Sequence, residues 1–265
     1  DTQLAIGVGH TNWISGTCDF MVGIGTTNPS SRLSVAGDAC VSGVITASNF
    51  AKADGSSLGG FSADSQENLY AGTSAGAASD SDTCFNIAMG KAAACELNAG
   101  DNNIILGCFA GSSNASGSEN VMIGAGAGKE TTSGCNILIG RYAGRCITSG
   151  VRNVAIGNDA MYGANGNAYR NTAVGWQSMY AVTTGYQNVC LGKSAGANLT
   201  TGARNVIIGP EASSAAVGTN YQIVMGYDTT GKGESTGFIN PSGGGVYQGN
   251  NSTHWSTTSD VRIKK

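Results

Sequence analysis

Asn136-Ile-Leu-Ile-Gly140 repeats, almost letter for letter, what Asn103-Ile-Ile-Leu-Gly107 and Asn205-Val-Ile-Ile-Gly209 have already said. The phrase is Asn, apolar, mostly apolar, apolar, Gly. It starts at Asn68, Asn86, Asn103, Asn120, Asn136, Asn153, Asn171, Asn188 and Asn205, and once more with glutamine at Gln222. The steps between starts are 18, 17, 17, 16, 17, 18, 17, 17 and 17 residues. A period this regular marks a stack of similar units, each burying its apolar face against its neighbours. Three apolar residues closed by glycine are too short for a helical turn pattern and read as an extended strand.

Two further columns belong to the period. The third residue after each Gly is small: Ala75, Ala93, Ala110, Ala127, Ala143, Ala160, Ser178, Ala195, Ala212 and Thr229. Such a column is expected where a corner of one coil packs close to the next. Ser-Gly or Thr-Gly pairs, as at Ser116-Gly117, Ser149-Gly150 and Thr201-Gly202, mark a turn shortly before the lead Asn. Each period is therefore expected to be a strand, a tight corner, a second short strand and a turn. With strands about 4.8 Å apart, ten coils make a rod segment of roughly 45–50 Å.

The composition agrees with a stack of strands and excludes much else. Gly supplies 42 of 265 residues without a three-residue period, so collagen is excluded. With 40% hydrophobic residues and a net charge of −3, a disordered chain is excluded as well. Between Asn68 and Gly226 eight basic residues balance eight acidic ones, which leaves no field to gather nucleic acid. No run of 18 apolar residues suggests membrane insertion. The eight cysteines share no column between adjacent coils and form no CxxC, so free, mostly buried thiols are favoured over disulfides or a metal site. That usage fits assembly in a reducing compartment. The chain begins without methionine and reads as a piece of something longer.

The lead column Asn86, Asn103, Asn120, Asn136, Asn153, Asn171, Asn188 and Asn205 is expected to form a structural amide ladder, with a glycan- or ion-binding row as the alternative. The middle residue of each phrase, including Ile105, Met122 and Ile207, is apolar, as are its two neighbours on the opposite side of the strand. A single-chain solenoid needs one apolar face only. The second, assigned to the middle column, is expected to be hidden between identical chains.

No catalytic set emerges. Glu119, Glu130, Asp159 and Glu211 are scattered over separate coils without the recurring pair a glycosidase needs. Gly124 to Lys129 mimics a phosphate loop but lacks its first Gly and its Ser/Thr. No metal site and no cofactor is expected. The aromatic residues are more suggestive. Tyr162 and Tyr180 share one column, Tyr169 and Tyr186 another, and Trp176 lies between them in sequence. These five are candidates for contact with a glycan, since sugar rings stack their apolar faces on aromatic side chains. Cross-coil stacking that merely stabilises the rod is the plainer reading.

Three stretches carry resemblances. Residues 23–50, GIGTTNPSSRLSVAGDACVSGVITASNF, resemble a segment common in phage tail fibres. The repeats are similar to the head repeats of bacterial trimeric autotransporter adhesins. Ser259-Asp260-Val261-Arg262-Ile263-Lys264 resembles the start of the endosialidase-type intramolecular chaperone domain. That domain stands at the C-terminus of tail spikes and fibres, drives trimerisation and releases itself between a Ser and an Asp. The resemblance makes Ser259 and Asp260 the self-cleavage site, with nearly all of the chaperone domain missing from this chain.

Residues and resemblances together predict an all-β, elongated β-solenoid or β-roll-like rod of about ten 17-residue coils, assembled as a parallel homotrimer. Residues 1–66 form an N-terminal short-strand segment and Gly/Ser connector, 67–230 the repeat rod, 231–259 a C-terminal strand segment, and 260–265 the start of the chaperone domain. The expected function is that of a structural and host-attachment segment of a phage tail fibre. It would be located in the virion, assembled in the host cytoplasm, and partnered by other tail proteins and a host surface glycan or protein. No enzymatic activity is expected apart from self-cleavage. A polysaccharide-degrading tailspike and a bacterial adhesin head are the alternatives.

Overall fold

The structure, a computed structural model, describes residues 5–8, 11–16, 22–24, 33–35, 63–163, 166–241, 244–249 and 254–257. The chain divides into two compact units, Asp1–Lys52 and Ala53–Lys265. In the first unit, β1 (Ala5–Val8), β2 (Thr11–Gly16), β3 (Val22–Ile24) and β4 (Leu33–Val35) form one sheet in sequential order. The pairs β1–β2 and β2–β3 are antiparallel and β3–β4 is parallel. Strand β2, Thr-Asn-Trp-Ile-Ser-Gly, has no run of three apolar residues to announce it. Of the short apolar pieces that the sequence offers as strands here, Leu4–Ile6, Met21–Ile24, Leu33–Val35 and Val41–Ile45, the last lies outside the described residues.

The second unit is the solenoid. Every phrase contributes one three- or four-residue strand: β5 (Leu69–Ala71), β6 (Ile87–Met89), β7 (Ile104–Leu106), β8 (Val121–Ile123) and β9 (Ile137–Ile139). The series continues with β10 (Val154–Ile156), β11 (Thr172–Val174), β12 (Val189–Leu191), β13 (Val206–Ile208) and β14 (Ile223–Gly226). Strand β15 (Gly237–Asn240) extends the parallel order, and β16 (Val246–Gln248) and β17 (Ser256–Thr257) close the sheet antiparallel. The register is direct: Ile105 lies beside Met122, Met122 beside Leu138, and Leu138 beside Ala155.

Where a second short strand was expected, the chain instead alternates right- and left-handed residues. The second residue after each Gly is left-handed even when it carries a side chain, as at Phe109 (φ 56°), Tyr142 (φ 55°) and Asp159 (φ 55°). The amides of its left-handed residues reach both neighbouring coils, so this wall forms its own ladder along the stack. Phe109 donates backward to Lys91 O at 2.8 Å, and Gly111 donates forward to Ala127 O at 2.9 Å. These bonds satisfy a backbone that could not otherwise be buried, and offset a left-handed cost of roughly 1–2 kcal/mol per non-glycine residue.

The core lies inside each coil, between the strand and this second wall. Ile105, Met122, Leu138, Cys190, Ile207 and Val224, the middle residues of their phrases, are fully buried by their own chain. This corrects the expectation that the middle column is the stripe hidden between chains. That column faces inward, and its neighbours on either side face out. The small column after Gly (Ala93, Ala110, Ala127, Ala143, Ala160, Ala195 and Ala212) is also fully buried and points into the same core, not to a corner between coils. It is small because the two walls stand close.

The same narrowness appears as a size exchange. Opposite three of the large middle residues the fourth residue after Gly is glycine: Ile105 with Gly111, Met122 with Gly128, Leu138 with Gly144; Ile207 has Ser213 there. A Cβ on Gly144 would lie 2.5 Å from Leu138 Cδ2. Where the middle residue is Ala155 or Ala173, the fourth position holds buried Met161 or Met179. In these coils the long side chain of the pair comes from one wall or the other.

This exchange predicts a coupled pair. Ala155→Leu alone overpacks the coil and costs about 1–3 kcal/mol. Adding Met161→Gly recreates the neighbouring Leu138/Gly144 arrangement and recovers most of that loss. Urea or thermal unfolding of the two single variants and the double variant checks it, and strictly additive losses would count against the exchange.

Candidate functional site

The lead asparagines are buried, each at most 1% exposed. From Asn86 to Asn205 every backbone N–H and every Nδ2–H donates to Oδ1 of the preceding lead Asn, at 2.9–3.4 Å. The second Nδ2 proton goes to a turn carbonyl of the next coil, as from Asn103 to Gly117 O at 2.9 Å and from Asn188 to Gly202 O at 2.8 Å. Each amide thus donates two bonds and accepts two, the full capacity of the group.

A left-handed residue stands before each lead Asn, including Glu119 (φ 61°), Arg152 (φ 59°) and Arg204 (φ 59°), and turns the side chain inward. After the strand, Gly140 (φ 131°) and its equivalents sit beneath the next coil. A Cβ on Gly140 would come within 2.5 Å of Gly157 O. The invariable Gly of the phrase therefore lets two coils approach.

The ladder has a direction and two different ends. At its start Asn68 has no preceding asparagine. The carboxylate of Asp64 takes that place, accepting from Asn68 N at 2.9 Å and from Asn68 Nδ2 at 3.1 Å. At its finish Gln222 N donates to Asn205 Oδ1 at 2.9 Å. Its longer side chain turns aside to accept from Ala215 N at 3.2 Å and leaves Nε2 buried without a partner among the described residues. Glutamine keeps the backbone register and stops the amide chain.

The five aromatic candidates do not form one patch. Tyr162 and Tyr180 stack with ring centroids 5.3 Å apart, and Tyr142 meets Tyr162 edge-on at 6.1 Å. Arg145 reaches the Tyr162 hydroxyl and lies 3.4 Å from Glu130. Tyr169 and Tyr186 stack separately, 5.0 Å apart and nearly coplanar in orientation, on the edge that precedes the strands. Trp176 is 45% exposed next to the Gly corner, with the Lys193 ammonium 5.4 Å from its ring. Among the described residues no ring contact links the two tyrosine pairs to each other or to Trp176.

Nothing gathers for acid–base or nucleophilic chemistry among the described residues. Glu119 accepts from the Cys135 thiol at 3.2 Å, and Glu211 pairs with Lys193 at 2.8 Å. That hydrogen bond to Glu119 is the main reason the Cys135 thiol titrates above its ordinary range; burial alone pushes Cys190 far up. Neither is an activated thiolate. The described cysteines Cys84, Cys95, Cys108, Cys135, Cys146 and Cys190 are all free. No group of three or more His, Cys, Asp or Glu among the described residues could hold a metal ion. In the Gly124–Lys129 turn, Gly124 N is bonded to Leu106 O, Gly126 N to Cys108 O and Gly128 N to Ala143 O, so its glycine amides are not left to cradle a phosphate. Ser259 and Asp260 lie outside the described residues. No helix among the described residues is long and apolar enough to cross a membrane.

Two surfaces remain. The first is the outer face of the long sheet, where the first and third residue of every phrase point. Ile87, Ile104, Ile137 and Ile223 are 37–45% exposed there, and Leu106, Ile123, Ile139, Val174, Leu191 and Ile208 are half-buried. The second is a groove of about 350 Å³ at the C-terminal end, lined by Tyr221, Ile223, Ser235, Thr236, Gly237, Gln248 and Trp255. Sequence reasoning missed it because its walls come from three different strand contexts. The short spacing of Tyr221 and Ile223 was visible, but the return of Trp255 over Gly237 was not.

Removing one amide from the middle of the ladder should be severe. Asn153→Ala strands the Asn171 N–H and Nδ2–H as well as the Ala168 carbonyl, at about 1–3 kcal/mol for each buried orphan. Asn153→Gln keeps the amide but not the reach and should lose stability as well, whereas Gln222→Asn should be tolerated. Thermal melting checks the series, and an unchanged midpoint for Asn153→Ala would contradict it.

Compared with models of known protein families, with curated proteins and with solved structures, the chain matches none.

Proposed function

We propose that this chain is a structural and host-attachment segment of a phage tail fibre: a rod of three parallel copies that holds and presents a receptor-binding surface. The observation that carries the reading is the outer face of the sheet. A solenoid that has filled its own core has no structural need for aliphatic residues outside. Here both outward columns are aliphatic over nearly the whole stack, with Thr172 the exception in the first column. Soluble monomers seldom keep an apolar surface of this length in water, and such patches mark association sites.

Three parallel sheets turned toward one axis would enclose that surface over β5–β13, in a closed and symmetric arrangement that leaves the β14 end open. The fibre-like stretch at 23–50 and the Ser259-Asp260-Val261-Arg262-Ile263-Lys264 pattern support the same reading through resemblance. On that reading the Ser259–Asp260 bond is where a downstream chaperone domain would be released. The rod contributes length, stiffness and three copies of whatever surface it displays.

The intact chain should sediment as a trimer at micromolar concentration. The double variant Ile104→Lys/Ile137→Lys, which charges the outer face and leaves the core untouched, should sediment as a monomer with unchanged strand content by circular dichroism. A monodisperse wild-type monomer would refute the proposal, and a stable dimer would replace its threefold symmetry.

A further inference from the structure

The edge that precedes the strands changes character along the rod. Over the last coils it carries Arg152, Arg170 and Arg204, all exposed, one just before each lead Asn except at Gln187. None of the three forms an ion pair among the described residues. The stacked rings of Tyr169 and Tyr186 lie between them. Arg170 sits 6.0 Å from the Tyr169 ring, and Arg204 is held between the Tyr186 and Tyr221 rings at 5.4 and 5.3 Å. Arg204 Nε also donates to Gln187 Oε1 at 3.1 Å, and Nη1 donates to the Tyr221 hydroxyl. Two of its five donors are thereby used to fix the plane of the guanidinium, and the rest stay available for a planar acceptor.

This strip runs directly into the C-terminal groove, because Tyr221 belongs to both. The groove exists because β15 begins with Gly237 where the other strands carry a bulky first residue. The Trp255 indole lies over that bare position, 3.0 Å from where a Cβ would stand. Tyr221 and Trp255, 50% and 52% exposed, form two aromatic walls over an Ile223 floor, with Ser235, Thr236 and Gln248 supplying polar rims. At about 350 Å³ the groove is of ligand-binding size. Glu234, the carboxylate nearest this rim in sequence, is engaged by Asn220 Nδ2 at 3.2 Å.

From this juxtaposition we propose that the Arg170–Arg204 edge and the Tyr221/Trp255 groove form a binding site for an acidic polysaccharide, one whose sugar rings carry carboxylates. Aromatic walls take the apolar faces of pyranose rings, the rims take hydroxyls, and the guanidiniums pair with carboxylates spaced along the polymer. A single-stranded nucleic acid would also use rings and cations. It needs a longer basic track than three arginines on a chain of net charge −3. The site deepens the attachment reading by naming the class of receptor, and it lies on a different column from the Tyr162/Tyr180 stack.

The test is isothermal titration of the assembled chain with four probes: alginate oligomers (a polyuronate), sialyllactose, neutral dextran oligomers and a thymidine oligonucleotide. At least one acidic saccharide should bind, more weakly as salt is raised, and dextran should not. The alginate and sialyllactose arms separate a uronate from a sialate. Arg204→Ala and Trp255→Ala should each weaken binding at least tenfold, Trp255→Phe should retain it, and Tyr180→Ala should leave it unchanged. Should Arg204→Ala fail to fold, Arg204→Lys, which keeps the charge without the planar fork, should still weaken binding. Absence of binding by both acidic saccharides, equal binding of dextran, tighter binding of the oligonucleotide, or indifference to Arg204 and Trp255 would overturn the proposal. Sedimentation on the same samples separates the two claims. An intact trimer that ignores acidic glycans sinks this site alone, whereas a monomer that binds them sinks only the threefold rod.

Discussion

A buried primary amide that uses all of its hydrogen-bonding capacity in every coil is the constraint on which this fold rests. A carboxamide has two donors and an acceptor oxygen with two lone pairs, and each lead asparagine spends them on the coil before and the coil after. Aspartate would lack the donors and bury a charge. Glutamine adds a methylene and misses the next oxygen, as Gln222 does. Because the backbone N–H and one Nδ2–H of each lead Asn donate to the asparagine before it, the side-chain column has a direction along its length. Asp64 supplies a negative group where the first donors emerge. The logic is that of a capped helix, transferred to side chains.

With the coils held in register, the space between the two walls is fixed and small. That is why alanine recurs in the core, and why a long residue on the strand at Leu138 gives way to one on the opposite wall at Met161. Close packing of this kind makes volume, not hydrophobicity alone, the selected quantity. The left-handed second wall has the same origin. A β-strand would turn alternate side chains into a core too narrow for them. Alternating handedness keeps Phe109, Tyr142 and Asp159 outside while its amides still find partners one coil away.

Much of this was legible in the sequence, because period and hydrogen-bonding chemistry are both local. The strand and the amide column could both be read from Asn-apolar-apolar-apolar-Gly, whereas close approach of the coils was assigned to the small column and belongs to the Gly. Two things could not. Which face of the strand looks inward depends on where the second wall lies, and with both faces apolar the pattern gives no sign. Ile105 and Met122 were therefore placed outside when they are the core. Left-handed positions at Glu119, Arg152 or Arg204 carry no glycine to announce them. The C-terminal groove depends on a long-range return of Trp255, which no periodicity encodes. Columns of like residues foretold the aromatic stacks well, but their grouping into one patch ignored that the two columns stand at different positions around the coil.

Function follows from what the fold leaves over. A coil that seals its own core still presents aliphatic columns outside, and from those columns and the edge beside them come the proposals that other copies and a ligand meet the rod there. All of this requires the amide column to be a buried, fully bonded ladder. Hydrogen exchange of side-chain amides tests that most directly, by comparing Asn103 with its exposed chain neighbour Asn102. The Asn103 Nδ2 protons should exchange as slowly as the backbone amides of β7, while those of Asn102 exchange freely. Rapid exchange at Asn103 would mean that the ladder does not hold the coils together.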